Sequence, residues 1–144
     1  MNANGYCLED LLVGMEAFHE RILDEDDVVN FANLTGDRNP LHLDDGFARA
    51  TRFKSRIVHG MLTASLIATV LGMKLPGPGA VYVSQSLRFR APVRCGDLVR
   101  ASARITALDR IERRASLSCC CSVAGTVVLD GEAVVQVPVR GGTA

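Results

Sequence analysis

The segment HGMLTASLIATVLGMK, residues 59–74, restricts the fold more than any other stretch of this chain. Wound as a helix, it spreads Met61, Leu62, Leu66, Ile67, Val70, Leu71 and Met73 around the axis, with Ala64, Ser65, Ala68 and Thr69 between them. No strongly polar face is left, and a helix apolar on nearly every side is expected to be buried on nearly every side. The proline-glycine run PGPG at residues 76–79 ends it. The uncharged stretch Ile57–Met73 falls slightly short of the roughly 20 residues that a bilayer span needs. It also carries His59, Ser65 and two threonines, so a buried core helix is expected rather than a membrane anchor.

Something has to cover that helix, and the sequence beyond Gly79 supplies it. In AVYVSQSLRFR, Val81, Val83, Leu87 and Phe89 fall on one face of a strand, Ser84, Ser86, Arg88 and Arg90 on the other. Val99, Ala101, Ala103 and Ile105 alternate with Arg100, Ser102, Arg104 and Thr106. Ile111, Ala115, Leu117, Cys119, Cys121 and Val123 alternate with Glu112, Arg114, Ser116, Ser118 and Ser122. Short links at residues 92–97, around 108–110 and at 124–125 predict antiparallel neighbours. Asp130-Gly131 is a hairpin dipeptide, but a turn there would leave only a stub from Thr126 to Leu129. One long strand to Val137 with a bulge at Gly131 is expected instead.

Ahead of the apolar helix, Asp24 predicts the cap of a helix through DEDDVVNFANL, with Asp27 completing a capping box and Thr35-Gly36 as the stop. A short helix through DDGFARAT follows, with Asp44 and Asp45 as caps. The whole chain, residues 1–144, is therefore expected to be one α+β domain, a long central helix wrapped by an antiparallel sheet.

Charge narrows the partners. Lys plus Arg and Asp plus Glu both number 16, and this balance argues against a nucleic-acid partner, which calls for a basic excess. Five cysteines, three of them consecutive at Cys119–Cys121, make a poor disulfide framework, and there is no C-x-x-C pair for zinc. Buried thiols in a reducing compartment are expected. MNANGYCLED has neither a basic leader nor an apolar run, so a cytoplasmic location is expected.

Chemistry concentrates in TGDRNPLHLD, residues 35–44. Gly36, Asp37, Asn39 and Pro40 are all common in turns, and turn chemistry by itself accounts for most of these letters. The alternative is functional. A non-helical loop can aim a carboxylate and an imidazole at one water, and histidine titrates where such a pair can take one proton and return another. Addition of water to a double bond and hydrolysis both suit that pair.

The run FANLTGDRNPLHLDDGFA, residues 31–48, resembles the signature of MaoC-like (R)-specific enoyl-CoA hydratases. The resemblance continues through IVHGMLTASLIATVLG, PGPGAVYVSQSLRFRAPVRCGD and GEAVVQVP, and so covers nearly the whole chain in order. It implies a hotdog fold, with the apolar helix inside the curled sheet, and a homodimer whose sheets join edge to edge. It implies that Asp37 and His42 activate the water that adds to a trans-2-enoyl-CoA, giving an (R)-3-hydroxyacyl-CoA, with Asn39 supporting the loop. It also implies that the Gly60 N–H, free at the start of a helix, receives the charge building on the thioester oxygen. No cofactor or metal is expected; the CoA thioester is the substrate.

His59 is expected to cap or fill space at the helix start, without a catalytic role. Some relatives carry serine at the position of Ala68, while here Ser65 lies one turn earlier. Arg52, Lys54, Arg56, Arg88 and Arg90 are the nearest basic candidates for CoA phosphates, although surface salt pairing explains most such residues. Two other readings stand beside hydration: an acyl-CoA thioesterase on the same fold, and a non-catalytic acyl-binding subunit of a dehydratase.

Overall fold

The apolar segment forms a 14-residue helix, α4 (Gly60–Met73), and the rest of the fold is arranged around it. The computed structural model describes residues 4–142 and 144. Before α4 come β1 (Glu16–Leu23), α1 (Glu25–Thr35), α2 (Pro40–Leu43) and α3 (Asp45–Arg49). After it come β2 (Val81–Gln85), β3 (Arg88–Phe89), β4 (Asp97–Asp109), β5 (Arg114–Val123) and β6 (Thr126–Gln136). The strands make one antiparallel sheet in the order β1-β4-β5-β6-β2, with β3 also paired to β6.

The period-two segments that alternate most cleanly become the centre of that sheet. Val99, Ala101, Ala103 and Ile105 of β4 and Ala115, Leu117, Cys119 and Cys121 of β5 are all buried. They meet Ile67, Val70 and Leu71 of α4 in a single core. Each fully buried Ile, Leu or Val there contributes about 1.5–3 kcal/mol through loss of apolar surface. Ala124 and Gly125, both at positive φ, make the tight β5–β6 turn. Asp109 accepts the N–H groups of Ile111 and Glu112 at 3.0 and 2.9 Å and shapes the β4–β5 turn. Ile111, expected inside on β5, therefore lies on this turn and is exposed.

Other departures from expectation have physical reasons. β1 was not anticipated, because its outward face carries Phe18 and Ile22 while its inner positions include His19 and Arg21, which hides the alternation. Residues 92–97 do not join neighbouring strands, since β3 pairs with β6 while β4 pairs with β1 and β5. The link instead passes the start of α4, where Val58 N–H donates to the Val93 carbonyl at 2.7 Å. The β2–β3 segment is not one strand: its register shifts between Tyr82 and Ser84, and Ser86-Leu87 separate the two pieces.

β6 is one strand, as expected, but Gly131 is not its bulge. Gly131 stays in register with Cys119, and the shift falls between Cys121 and Ser122 of β5. Gly131 is needed because the Ser86 backbone crosses directly against it; a Cβ there would stand 1.8 Å from the Ser86 carbonyl oxygen.

The helix itself is not covered all round within one chain. Thr63, Ala64, Leu66, Ile67, Val70 and Leu71 are buried, but Met61, Ser65 and Ala68 form an exposed line along α4, and Met73 is exposed at its end. A single sheet wraps only one side of a helix.

Candidate active site

The loop that carries Asp37 is built by a succession of local hydrogen bonds. Asp24 accepts the Asp27 N–H at 3.0 Å and Asp27 returns the bond to Asp24 N–H at 3.1 Å, starting α1 as a capping box. Gly36 ends α1 at φ +83°, a left-handed conformation suited to glycine, with its N–H on the Ala32 carbonyl. The chain then steps through side-chain caps. Asp37 N–H donates to Thr35 Oγ1 (3.2 Å), Asn39 N–H to Asp37 Oδ1 (3.2 Å) and Leu41 N–H to Asn39 Oδ1 (3.1 Å). Asn39 is thus the N-cap of α2, and Pro40 occupies the first helical position, where its missing N–H costs nothing. The polar turn and the short helix are one device, and the device aims His42 inward.

His42 is buried, with 8% of its surface exposed. Its Nδ1 lies 2.8 Å from the Ile57 carbonyl. A carbonyl oxygen only accepts, so Nδ1 carries the hydrogen, and in the neutral ring Nε2 is left with a bare lone pair. Burial holds the His42 pKa below its ordinary 6.5; the Ile57 hydrogen bond opposes this, neighbouring His59 adds to it, and Asp37 opposes it. Asp37 is exposed at the mouth of the loop. One ligating atom each from Asp37, His42 and His59 falls within 4.8 Å of the others.

His59 is more engaged than its sequence context suggested. It is 2% exposed and makes no side-chain cap to α4. Its Nε2 donates to the Asp37 main-chain carbonyl at 3.0 Å. Its ring lies 3.9 Å from that of His42 at an interplanar angle of 30°, and Phe31 tilts against its other neighbourhood at 4.8 Å.

Gly60 follows immediately as the first residue of α4. Among the described residues no acceptor takes its N–H, as expected for a helix start. The glycine has a packing reason too: a Cβ there would stand 2.7 Å from Phe89 Cε1. Phe89, half exposed, closes over Gly60 at one wall of a cavity of about 570 Å³. Thr63, Arg52, Arg90 and Arg94 also line this cavity; Asp37 and His42 do not. The structure therefore brings Asp37, His42 and His59 within 4.8 Å of one another, and Gly60 follows His59 in the chain.

The basic candidates separate clearly. Arg52 and Arg90 reach the cavity wall, whereas Lys54 and Arg88 do not. Arg56 is held by Glu25 and Asp45, bracing α1 against α3. Asp44 caps α3 through the Phe47 N–H at 2.8 Å, but Asp45 serves this ion pair and is not a cap. Arg94, Phe89 and Thr63 were not singled out from the sequence. Only the tertiary crossing of residues 88–94 past α4 brings the first two to Gly60. Ser65 spends its hydroxyl on the Leu62 carbonyl of its own helix. Burial pushes the Cys119 thiol up to about 11 and Cys121 up to about 12, which makes both poor nucleophiles.

The arrangement suits one water. A carboxylate and a bare imidazole nitrogen are both acceptors, so a water between them donates both its hydrogens and turns its lone pairs outward. A curled antiparallel sheet around a long helix, with an acid–imidazole loop beside that helix's start, defines the hotdog-fold hydratase and dehydratase class. Within that class the chain belongs to the MaoC-like family: the MaoC like domain matches residues 14–118.

The chain is 55% identical over 130 residues to a 3-hydroxybutyryl-CoA dehydratase of Methylorubrum extorquens, covering 90% of this chain and 83% of that one. It is 48% identical to an (R)-specific enoyl-CoA hydratase of Rhodospirillum rubrum, covering 94% of each chain. Among solved structures, an (R)-hydratase from A. caviae superposes with a TM-score of 0.87 at 44% identity, covering 90% of this chain and 99% of that one.

Proposed function

We propose that this protein adds water to trans-2-enoyl-CoA to give (R)-3-hydroxyacyl-CoA, and catalyses the reverse dehydration. The observation that carries this reading is the His42 tautomer. With Nδ1–H committed to the Ile57 carbonyl, Nε2 keeps a lone pair, and with the Asp37 carboxylate close by the two acceptors can take both hydrogens of one water.

In the forward direction the water oxygen attacks C3 while one of its O–H bonds breaks toward the acceptor pair. The double-bond electrons move through C2 onto the thioester oxygen, where the Gly60 N–H at the positive end of α4 meets the developing charge. The proton taken from the water is then delivered to C2. One C–O and one C–H bond form, and one water is consumed. Asp37 and His42 share a single proton-transfer task. Asn39 supports them by capping α2. The reaction runs on these groups without metal or organic cofactor, so chelator treatment leaves the rate unchanged.

The working unit is a homodimer. Edge strand β2 leaves Val81, Tyr82 and Val83 exposed, while the opposite edge, β1, sets Glu16, Glu20 and Arg21 beside its exposed Phe18 and Ile22. An apolar open edge favours strand pairing and a charged one opposes it. Among the described residues no helix is long and apolar enough to cross a membrane, and a cytoplasmic location fits an acyl-CoA substrate.

The test offers purified protein crotonyl-CoA and longer enoyl-CoAs and follows loss of the conjugated double bond. Hydration without thiol release is the expected result. Thiol release without hydration contradicts the reading.

A further inference from the structure

The imidazole at residue 59 is an odd choice for a space-filling role. His59 is 2% exposed, and its Nδ1 is buried with no hydrogen-bond partner. A buried acceptor without a donor is a cost that a hydrocarbon ring of similar shape would avoid. What the imidazole adds is one N–H, and that N–H reaches the main-chain carbonyl of Asp37 at 3.0 Å across 22 residues of sequence. The same ring stacks on His42 at 3.9 Å and is followed directly by Gly60.

We propose that His59 is a positioning residue of the site: its Nε2–H fixes the Asp37 loop to the start of α4, and its ring fixes His42. This rests on the hydratase reading for its kinetic consequences, though not for its geometry. Asp37 and His42 ride on a loop and a four-residue helix, whereas Gly60 belongs to the long helix. Among the described residues, His59 is the side chain that touches Asp37 and His42 while adjoining Gly60 in the chain. Loss of the bond lets the carboxylate drift relative to the thioester carbonyl, and misplacement by about 1 Å costs on the order of 100-fold in rate. The ionisable groups that face His42 are Asp37, from the loop ahead of α2, and His59, from the residue ahead of α4. The neighbouring imidazole of His59 helps hold the His42 pKa down, so its removal lets that pKa rise.

The test compares the full-length protein with His59→Phe, which keeps a ring and loses the donor, and His59→Gln, which keeps a donor and loses the ring. For His59→Phe the expected result is an unlowered melting temperature, kcat down by roughly 100-fold and KM within threefold. His59→Gln recovers at least tenfold of that loss, and in both variants the acid limb of the pH profile moves upward. A His59→Phe protein with kcat within threefold of wild type overturns the proposal. So does one that fails to fold, or a loss of rate accompanied by a lowered melting temperature that His59→Gln does not relieve.

An NMR titration of His42 in the same proteins separates this proposal from the hydratase reading. If wild type hydrates no enoyl-CoA, the hydratase reading fails, while an upward move of the His42 titration in His59→Phe still supports the coupling. An unchanged titration overturns it.

Discussion

At the scale of single residues, the His42 tautomer and its lowered pKa make a prediction with a definite sign. A neutral His42 is the form that holds the water, so the acid limb of kcat/KM should fall below pH 6.5, the ordinary histidine value. Stability follows the same group. Between the lowered pKa of the folded protein and 6.5, the unfolded chain binds a proton at His42 that the folded chain does not. The contribution is fully present above 6.5 and is lost as pH falls through that window. Denaturant titrations across mildly acidic pH check this, with His42→Gln as the variant whose slope should flatten.

Much at this scale was legible in GDRNPLH, because capping is local chemistry: Asp37, Asn39 and Pro40 act on backbone groups two residues away. His59 and Phe89 were not, because their roles depend on partners 22 and 29 residues distant in the chain.

At the scale of elements, the strands read correctly were those with a clean two-residue period and one face on the core. β4 and β5 satisfy both conditions. β1 fails the second, since its one fully buried position is Leu23, and an edge strand needs no apolar alternation to pair. α4 was expected to be buried throughout because apolar composition says nothing about whether the cover comes from the same chain. Gly131 illustrates a different limit: bulge and close crossing both call for glycine, and only the path of Ser86 distinguishes them. Gly131→Ala forces backbone against Cβ with no side chain free to yield, so it should destabilise by about 1–3 kcal/mol, measured by urea unfolding. Its effect on kcat should be small in whatever fraction remains folded.

At the scale of the whole molecule, the exposed β2 edge and the exposed residues of α4 point the same way: the proposed homodimer would supply the cover that one chain lacks. Val83→Lys places a charge on that edge and should shift the protein from dimer to monomer by light scattering, leaving its far-ultraviolet circular dichroism unchanged. If the site needs the second copy, activity falls in proportion to the dimer lost. A charge variant that remains a dimer would move the interface elsewhere.

The central claim is that Asp37 and His42 together deliver one water to an enoyl thioester. The most direct measurement follows crotonyl-CoA hydration by wild type, Asp37→Asn and His42→Ala, with chiral analysis of the 3-hydroxybutyryl-CoA formed. The account predicts (R) product from wild type and a loss of about 100-fold or more in each folded variant. Full activity in either variant, or (S) product from wild type, would contradict it.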